Sequence, residues 1–579
     1  MRHSPAGPSV RLAITLVAAA ACARPEPADL VLRNGKVVTM DSTRPEAQAI
    51  AIKGPTIVAV GSDRQIGRYV GPSTEVIDLA GQLAVPGFIE GHGHFMGLGS
   101  AKMILDLTRA ASWEDIVAMV AEAARTARPG EWIRGRGWHQ EKWTSVPEPS
   151  VDGVPLHGSL SRVSPNNPVY LTHASGHAAF VNARALQLAG ITRATRNPPG
   201  GEIVRDASGN PTGLLRETAQ RLVGRAMDQA AARRTPADIE AEMREQVRLA
   251  GEDALSKGVT SFHDAGAPFE LIDFYKKLES EGALPVRLYV MVRRESNDEM
   301  AAKLPQYRMV AEGNDFLTVR SIKRQIDGAL GSHGAWLLEP YTDMPTSTGL
   351  VLEPVEDIAR TAEIAIQHGF QVNTHAIGDR ANREVLNIYA RVFAANPDKR
   401  DLRWRIEHAQ HLHPDDIRRF AELGVIASMQ GVHATSDGPW VPKRLGDERS
   451  RTGAYVWRSL LDAGAVVTNG TDVPVEDIDP IASFYASVTR MTADGKPFYP
   501  EQRMTRQEAL RSYTLAAAYS AFEEGIKGSL TPGKLADVTV LSKDIMTIPD
   551  AEIPTTQVVY TIVGGKVAFR RAMTGDDRR

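Results

Sequence analysis

The sequence predicts an α/β protein: a (β/α)8 TIM barrel carrying a small β-sandwich domain formed by both termini. Three observations predict it. From about Val85 to Ala521, apolar strand-like runs alternate with helical patterns, the mark of a parallel α/β sheet. Polar residues of metal-ligand type cluster just past the C-terminal ends of those runs, where barrels gather their active sites. Short strand-and-turn segments flank this middle and echo each other, as Arg33-Asn34-Gly35-Lys36-Val37-Val38 near the start and Val563-Gly564-Gly565-Lys566-Val567 near the end.

Taken in order, the chain opens with Arg2 and Arg11 before an apolar stretch from Leu12 to Ala21, then Cys22 and the polar segment Ala23 to Asp29. A basic start, a short apolar run and small residues before a break read as an export signal over residues 1–22, too short for a membrane span. The run Ala19-Ala20-Ala21-Cys22 resembles a bacterial lipobox, which would attach a lipid anchor to Cys22; plain cleavage at the Ala-rich site is the alternative. The expected location is therefore periplasmic or membrane-tethered, otherwise secreted.

Residues 29–86 read as the first part of the β-sandwich. Asp29 to Val38 turns at Asn34-Gly35, and further strands cover Ala47 to Ile52 and Thr56 to Val60. The barrel is expected over 87–525. Its clear strands are Val259 to His263, Thr318 to Ile326, Gln371 to His375, Trp404 to His408, Val425 to Met429 and Val466 to Asn469. Helical patterns cover Pro236 to Ser256, Pro354 to Gln367, Arg380 to Ala395, Pro414 to Glu422 and Tyr455 to Ala463. The stretch from Gly130 to Gly213 lacks clean periodicity and reads as long loops or an insertion over the barrel mouth. Residues 526–573, with strands at Asp537 to Leu541 and Val558 to Val563, complete the β-sandwich, because an isolated hairpin is marginal in water.

Composition narrows the function. The 579 residues carry a formal net charge of −3 with interspersed signs, so no basic stripe marks a nucleic-acid surface and a small-molecule substrate is expected. A single cysteine excludes an intrachain disulfide framework and multi-cysteine zinc sites. Any metal must be held by His, Asp, Glu or a modified Lys. The strongest local signal is Pro86-Gly87-Phe88-Ile89-Glu90-Gly91-His92-Gly93-His94. Residues two apart on a strand share a face, so His92 and His94 can converge on one ion, with Gly91 and Gly93 leaving room for it. His375, His408 and Asp472 each follow another apolar run. Singly, each reads as a capping or hydrogen-bonded core residue. Together they form a nitrogen and oxygen ligand set suited to zinc, manganese, iron or nickel.

These runs resemble the amidohydrolase superfamily, and within it the amidohydrolase-3 family with its N-substituted formamide deformylases and YtcJ-like hydrolases. The resemblance rests on PGFIEGHGHF at Pro86 to Phe95, SGHAAFVNARAL at Ser175 to Leu186 and IKRQIDGALGSHGAWLLEPY at Ile322 to Tyr341. It continues in NTHAIGDRAN at Asn373 to Asn382, RIEHAQ at Arg405 to Gln410 and IASMQGVHATSD at Ile426 to Asp437. GTDVPVE at Gly470 to Glu476 and GSLTPGKLADVTVL at Gly528 to Leu541 complete it. The resemblance implies one or two divalent metal ions, zinc foremost, with His92, His94 and Asp472 on the first. His375 and His408 would hold a second ion or contact substrate. Lys323 aligns with a lysine that relatives carboxylate to bridge two metals; an unmodified strand lysine is the alternative.

The chemistry implied is hydrolysis of an amide or related C–N bond, with Asp472 as general base then acid and His408 or His375 polarising the carbonyl. Lactone or ester hydrolysis on the same site, deamination as a less natural third, and a non-catalytic exported binding lipoprotein are the alternatives, and a homo-oligomer is left open. His177 either reaches the site or stabilises its loop. His139, Trp138 and Trp143 either line an apolar pocket or pack a surface loop, and His263 is kept as a pocket residue. His433, Asp327 and Asp379 read as supports for the ligands. Glu217, beside Arg216, reads as a salt-bridged surface or helix-start carboxylate, and His411 and His413 as solvent-facing.

Overall fold

The computed structural model describes residues 25–232 and 234–572. The expected export signal and Cys22 lie outside the described residues. Eight parallel strands form the centre: β1 (Phe88–Gly93), β2 (Val259–Ala267), β3 (Arg287–Val292), β4 (Leu317–Gln325), β5 (Gln371–Ala376), β6 (Arg405–His408), β7 (Ile426–Gln430) and β8 (Val467–Gly470). Each pairs with the next in chain order, as in Gln325 opposite His375 and Ala376 opposite His408. The barrel is nearly closed, all-parallel and α/β.

Its seam between β8 and β1 depends on glycine. A Cβ on Gly91 would stand 2.3 Å from the Asn469 carbonyl oxygen, and one on Gly470 would stand 2.5 Å from Glu90 Oε1. Only bare backbone lets the strands approach this closely. Across the seam the Asp472 N–H donates to the His92 carbonyl at 2.8 Å. Glu90 accepts from the Thr471 N–H at 2.6 Å and from its hydroxyl at 3.0 Å. Gly91 and Gly93 therefore do not make room for a metal, as the sequence reading had it: Gly91 admits the Asn469 carbonyl, and Gly93 admits the ring of Phe262.

Helices cover the barrel where amphipathic patterns meet caps. Pro236–Ser256 starts with Thr235 and Asp238 in a reciprocal capping box and Pro at the first turn. Pro414–Leu423 starts at His413, whose ring nitrogen accepts from the Asp415 N–H, and stops at Gly424 with φ of 65°. Strand β3 was not among the strands read from the sequence. Its run RLYVMV is buried at every position, and a strand covered on both faces carries no alternation to read.

The stretch between Gly130 and Gly213, read as long loops or an insertion, is a folded insertion. Between β1 and β2 lies a six-stranded sheet in the order Gly201–Arg205, Pro211–Glu217, Ala178–Val181, Val169–His173, Ile133–Trp138 and Leu105–Asp106. It has its own core, with Trp113, Trp138, Leu171 and Phe180 buried together. Its strands are short and interrupted by Gly and Pro, which masks their period.

Strands from both chain ends pair with each other. Val538–Leu541 lies antiparallel to Leu83–Pro86, which runs parallel to Lys36–Val38. That six-stranded sheet and the four-stranded sheet holding Leu30–Arg33 share buried Leu32, Val37, Ile50, Val538 and Ile562.

Candidate metal centre

The C-terminal ends of β1, β4, β5, β6 and β8 deliver their side chains to one cavity of about 710 Å³. His92, His94 and Asp472 form its cluster: their ligand atoms lie within 4.8 Å of one another. Asp472 Oδ1 stands 3.1 Å from His94 Nε2 and 3.5 Å from His92 Nε2, yet makes no well-directed hydrogen bond. Asp472 reaches the cluster because its backbone takes a left-handed φ of 55° past the end of β8.

The neighbours fix the electrostatics. His92 donates from Nδ1 to Glu407. Burial and then Lys323 push His92 down to about 4, so the ring is neutral with its lone pair on Nε2. Burial works to raise Glu407, but His92, Arg405 and Lys323 bring it down to about 2, so it stays an anion that orients the ring. Burial would likewise raise the Asp472 carboxyl, yet the imidazoles around it, His94 first, hold it well below the usual carboxylate range. Lys323 Nζ is 3.1 Å from His92 Nε2, and burial lowers it to about 8.

His375 and His408 stand beside the cluster. The His408 ring centroid is 4.7 Å from that of His92 and 4.5 Å from that of His375. Gln430 Oε1 lies 2.7 Å from His408 Nδ1, committing that nitrogen. His375 Nε2 is buried, makes no hydrogen bond and lies 3.5 Å from Asp327 Oδ1. Burial pushes both imidazoles well down, so each offers a neutral nitrogen. Asp327 is raised by burial to about 7, and its carboxyl accepts from the Trp336, Ile377 and Gly378 N–H groups, setting the loop after β5.

The inserted sheet supplies the far wall. His177 lines the cavity with its ring 6.1 Å from that of His375, and its Nδ1 is 2.9 Å from Glu217 Oε2. Glu217 is thus not the surface or helix-start carboxylate read from its neighbour Arg216. Its side chain is 7% exposed, at the end of a strand with φ of 48°, and faces the cavity. Burial lowers the His177 imidazole, but Glu217 more than reverses this and leaves it raised.

A smaller pocket of about 80 Å³ shares His177, His375, His408 and Asp472 and is also lined by His139 and His433. The His433 ring lies nearly parallel to His408 at 6.3 Å, and burial pushes His139 down to about 3. Trp143 lines neither pocket; it stacks on Trp138 in the core of the insert. His263 is not a pocket residue: it sits inside the barrel against Arg405, and its neighbour Asp264 lines the cavity. His411 is buried rather than solvent-facing, with both ring nitrogens unpartnered, whereas His413 is 40% exposed. Asp379, the first residue of the helix Asp379–Ala395, accepts from the Leu338 and Arg380 N–H groups, away from the cluster. The sequence reading gave no role to Glu407, His173 or Gln430. Only the placement of Glu407 directly before His408 hinted at one.

A parallel barrel that brings a His-His-Asp cluster to its strand C-termini has the frame of a metal-dependent hydrolase. The comparisons agree. The model described as Amidohydrolase family matches residues 75–569. Protein LONG AFTER FAR-RED 3 of Arabidopsis thaliana is 35% identical over 94% of this chain and 92% of its own length. The N-substituted formamide deformylase of Arthrobacter pascens is 28% identical over 94% of this chain and 98% of its own. An uncharacterized metal-dependent hydrolase from Pyrococcus furiosus superposes with a TM-score of 0.68 at 27% identity, covering 90% of this chain and all of that one. The chain belongs to the amidohydrolase family.

Proposed function

We propose that the chain hydrolyses an amide or related C–N bond of a small molecule in this cavity. The observation that carries the reading is the buried, unsatisfied donor set: Asp472 Oδ1 and His375 Nε2 lack hydrogen bonds beside two further imidazoles. Leaving buried polar atoms unpaired costs about 1–3 kcal/mol each, a cost that a bound cation removes. His92, His94 and Asp472 would hold the first divalent ion, with zinc the natural choice for this donor set. His375, His408 and a carboxylated Lys323 would hold a second. Lys323 supports that role by position: it is 2% exposed, and among the described residues its one hydrogen-bond neighbour is a candidate ligand rather than a carboxylate.

A divalent ion in this site supplies an acidified water and a polarised carbonyl. The residues do the rest. Asp472 takes the proton of the attacking water on its carboxylate and returns it to the departing nitrogen. His177, held by Glu217 and raised by it, presents a ring N–H to the carbonyl oxygen as charge develops there, while His408, its Nδ1 committed to Gln430, keeps Nε2 as a ligand for the second ion. His139 and His433 line the arm that receives one end of the substrate. The two terminal sheets are taken as one small β-domain, and residues 1–22 as an export signal with lipidation at Cys22. Cys22→Ser would then abolish labelling by radioactive palmitate.

The test is turnover of N-substituted formamides and N-acyl amides by the purified chain. We expect amine release that is lost on chelation and restored by zinc. Ester cleavage with no amide cleavage would move the assignment to the lactone and ester class. Native mass spectrometry of the intact chain would find the mass of one added CO2, lost in Lys323→Ala, if the carbamate forms.

A further inference from the structure

Above the metal centre the cavity opens into a groove where the chain, formally −3 overall, concentrates positive charge. Arg221 comes from the helix Gln220–Ala231 of the inserted region. Arg293 and Arg294 follow directly on β3, and all three line both the cavity and the groove. The one carboxylate lining the groove, Glu353, is already paired with Arg324 at 2.5 Å. Arg293 donates one bond, 2.6 Å to Gln325 Oε1, and the side chains of Arg221 and Arg294 make none among the described residues.

The arrangement is built. A Cβ on Gly266 would stand 2.3 Å from Arg293 Cδ, so a bare backbone at 266 is what lets this arginine lie where it does. Arg294 holds a left-handed φ of 75°, a conformation a long side chain keeps only where its surroundings impose it. Burial, followed by the charge of Arg294, lowers Arg293, and the carboxylates of Glu353, Asp472 and Asp264 offset this only in part. Guanidinium forks match planar oxyanions in pairs of parallel hydrogen bonds. Leu271, Leu352 and Pro268 line the same cavity and give an apolar stretch beside the arginines.

We propose that Arg221, Arg293 and Arg294 form an anion subsite at the cavity mouth, which takes a carboxylate carried by the substrate away from the scissile bond. The substrate class is then an acylated amino acid or a similar amide acid. This rests on the reading of the cavity as a hydrolytic site, but its test does not need turnover. Calorimetry on the intact chain, with and without zinc, would compare N-acetyl-leucine of either hand with the matching N-acetyl-leucinamide. We expect one acid to bind about tenfold or more tightly than its amide, with the preference nearly abolished in a double variant, Arg221→Gln with Arg294→Gln. Arg293→Gln alone should weaken acid binding in the same direction and leave amide binding unchanged. Equal binding of acid and amide, or no acid binding at millimolar concentration, would overturn the subsite. So would an acid preference that survives the double variant only when zinc is present, which would place the carboxylate on the metal. Loss of metal-dependent turnover with the binding preference intact would instead sink the hydrolytic reading.

Discussion

The two ends of the barrel bury comparable amounts of charge and treat it in opposite ways. At the N-terminal end, Arg287 grips Asp537 through two bonds of 2.8 and 3.1 Å and donates a third to the Asn314 carbonyl. Lys527 pairs with Glu523 at 2.6 Å, and Arg405 gives its donors to the Ser520 carbonyl and His263. At the C-terminal end, Asp472 Oδ1 and His375 Nε2 lie unpaired, and Lys323 has an imidazole for its neighbour. Each charge of this plug faces a partner within the chain, and removing one partner from such a buried pair costs fold stability. A buried polar cluster left unsatisfied is a site prepared for something not part of the chain.

The contrast can be broken at either end. The largest effect expected is at the C-terminal end: Asp472→Asn should cut amide turnover by about 10⁴-fold, a loss of the size seen when a group of a catalytic constellation is removed. Its urea midpoint should stay close to that of the parent. Arg287→Met should do the reverse. It leaves Asp537 buried and unpaired, costing about 3–5 kcal/mol in urea unfolding, while turnover per folded molecule is unchanged. If Arg287→Met abolished turnover without destabilising the fold, the division between the two ends would fail.

Smaller effects sharpen the comparison. Glu407→Gln replaces the anion that orients His92 and should weaken metal affinity about 10–100-fold, read by competition with a chelating dye. Asp437 tests a polar group beside the site that is satisfied: it accepts from the Tyr455 hydroxyl at 2.7 Å and from Gln410 at 3.2 Å. Burial raises it from 3.8 to about 6, so between those values the folded protein keeps a proton that the unfolded chain releases. Its contribution is therefore full below pH 3.8 and is lost as pH rises to about 6. Asp437→Asn should flatten that decline by about 1 kcal/mol, after allowance for the residue's partial exposure. A parent and variant with parallel pH profiles would contradict it.

Much of the candidate centre was legible because each candidate ligand closes an apolar run. His375, His408 and Asp472 stand where hydrophobic strand residues give way to polar ones, and His92 and His94 share a face by simple alternation. What stayed hidden depends on tertiary contact. Glu217 sits beside Arg216 in sequence, but strand alternation sends Arg216 to Glu202 and Asp152 and turns Glu217 toward His177. His411 looks like a residue near a helix start, and only the packing of Tyr455 edge-on against it shows that it is buried. Strand β3 hid in an unbroken apolar run. The inserted sheet hid in short strands whose pairing, such as Ala179 opposite Leu215, no local pattern announces.

If the unsatisfied donors at the C-terminal end hold metal, plasma mass spectrometry of the purified chain will detect it. His92→Ala and Lys323→Ala would be measured beside it, each checked for native folding. About two equivalents of a divalent transition metal, zinc foremost, are expected, with the content falling in both variants. One equivalent lost only in His92→Ala would leave a single ion on His92, His94 and Asp472 and remove Lys323 from the ligands. A well-folded parent that retains no metal under any loading condition would rule out a metal site at these residues.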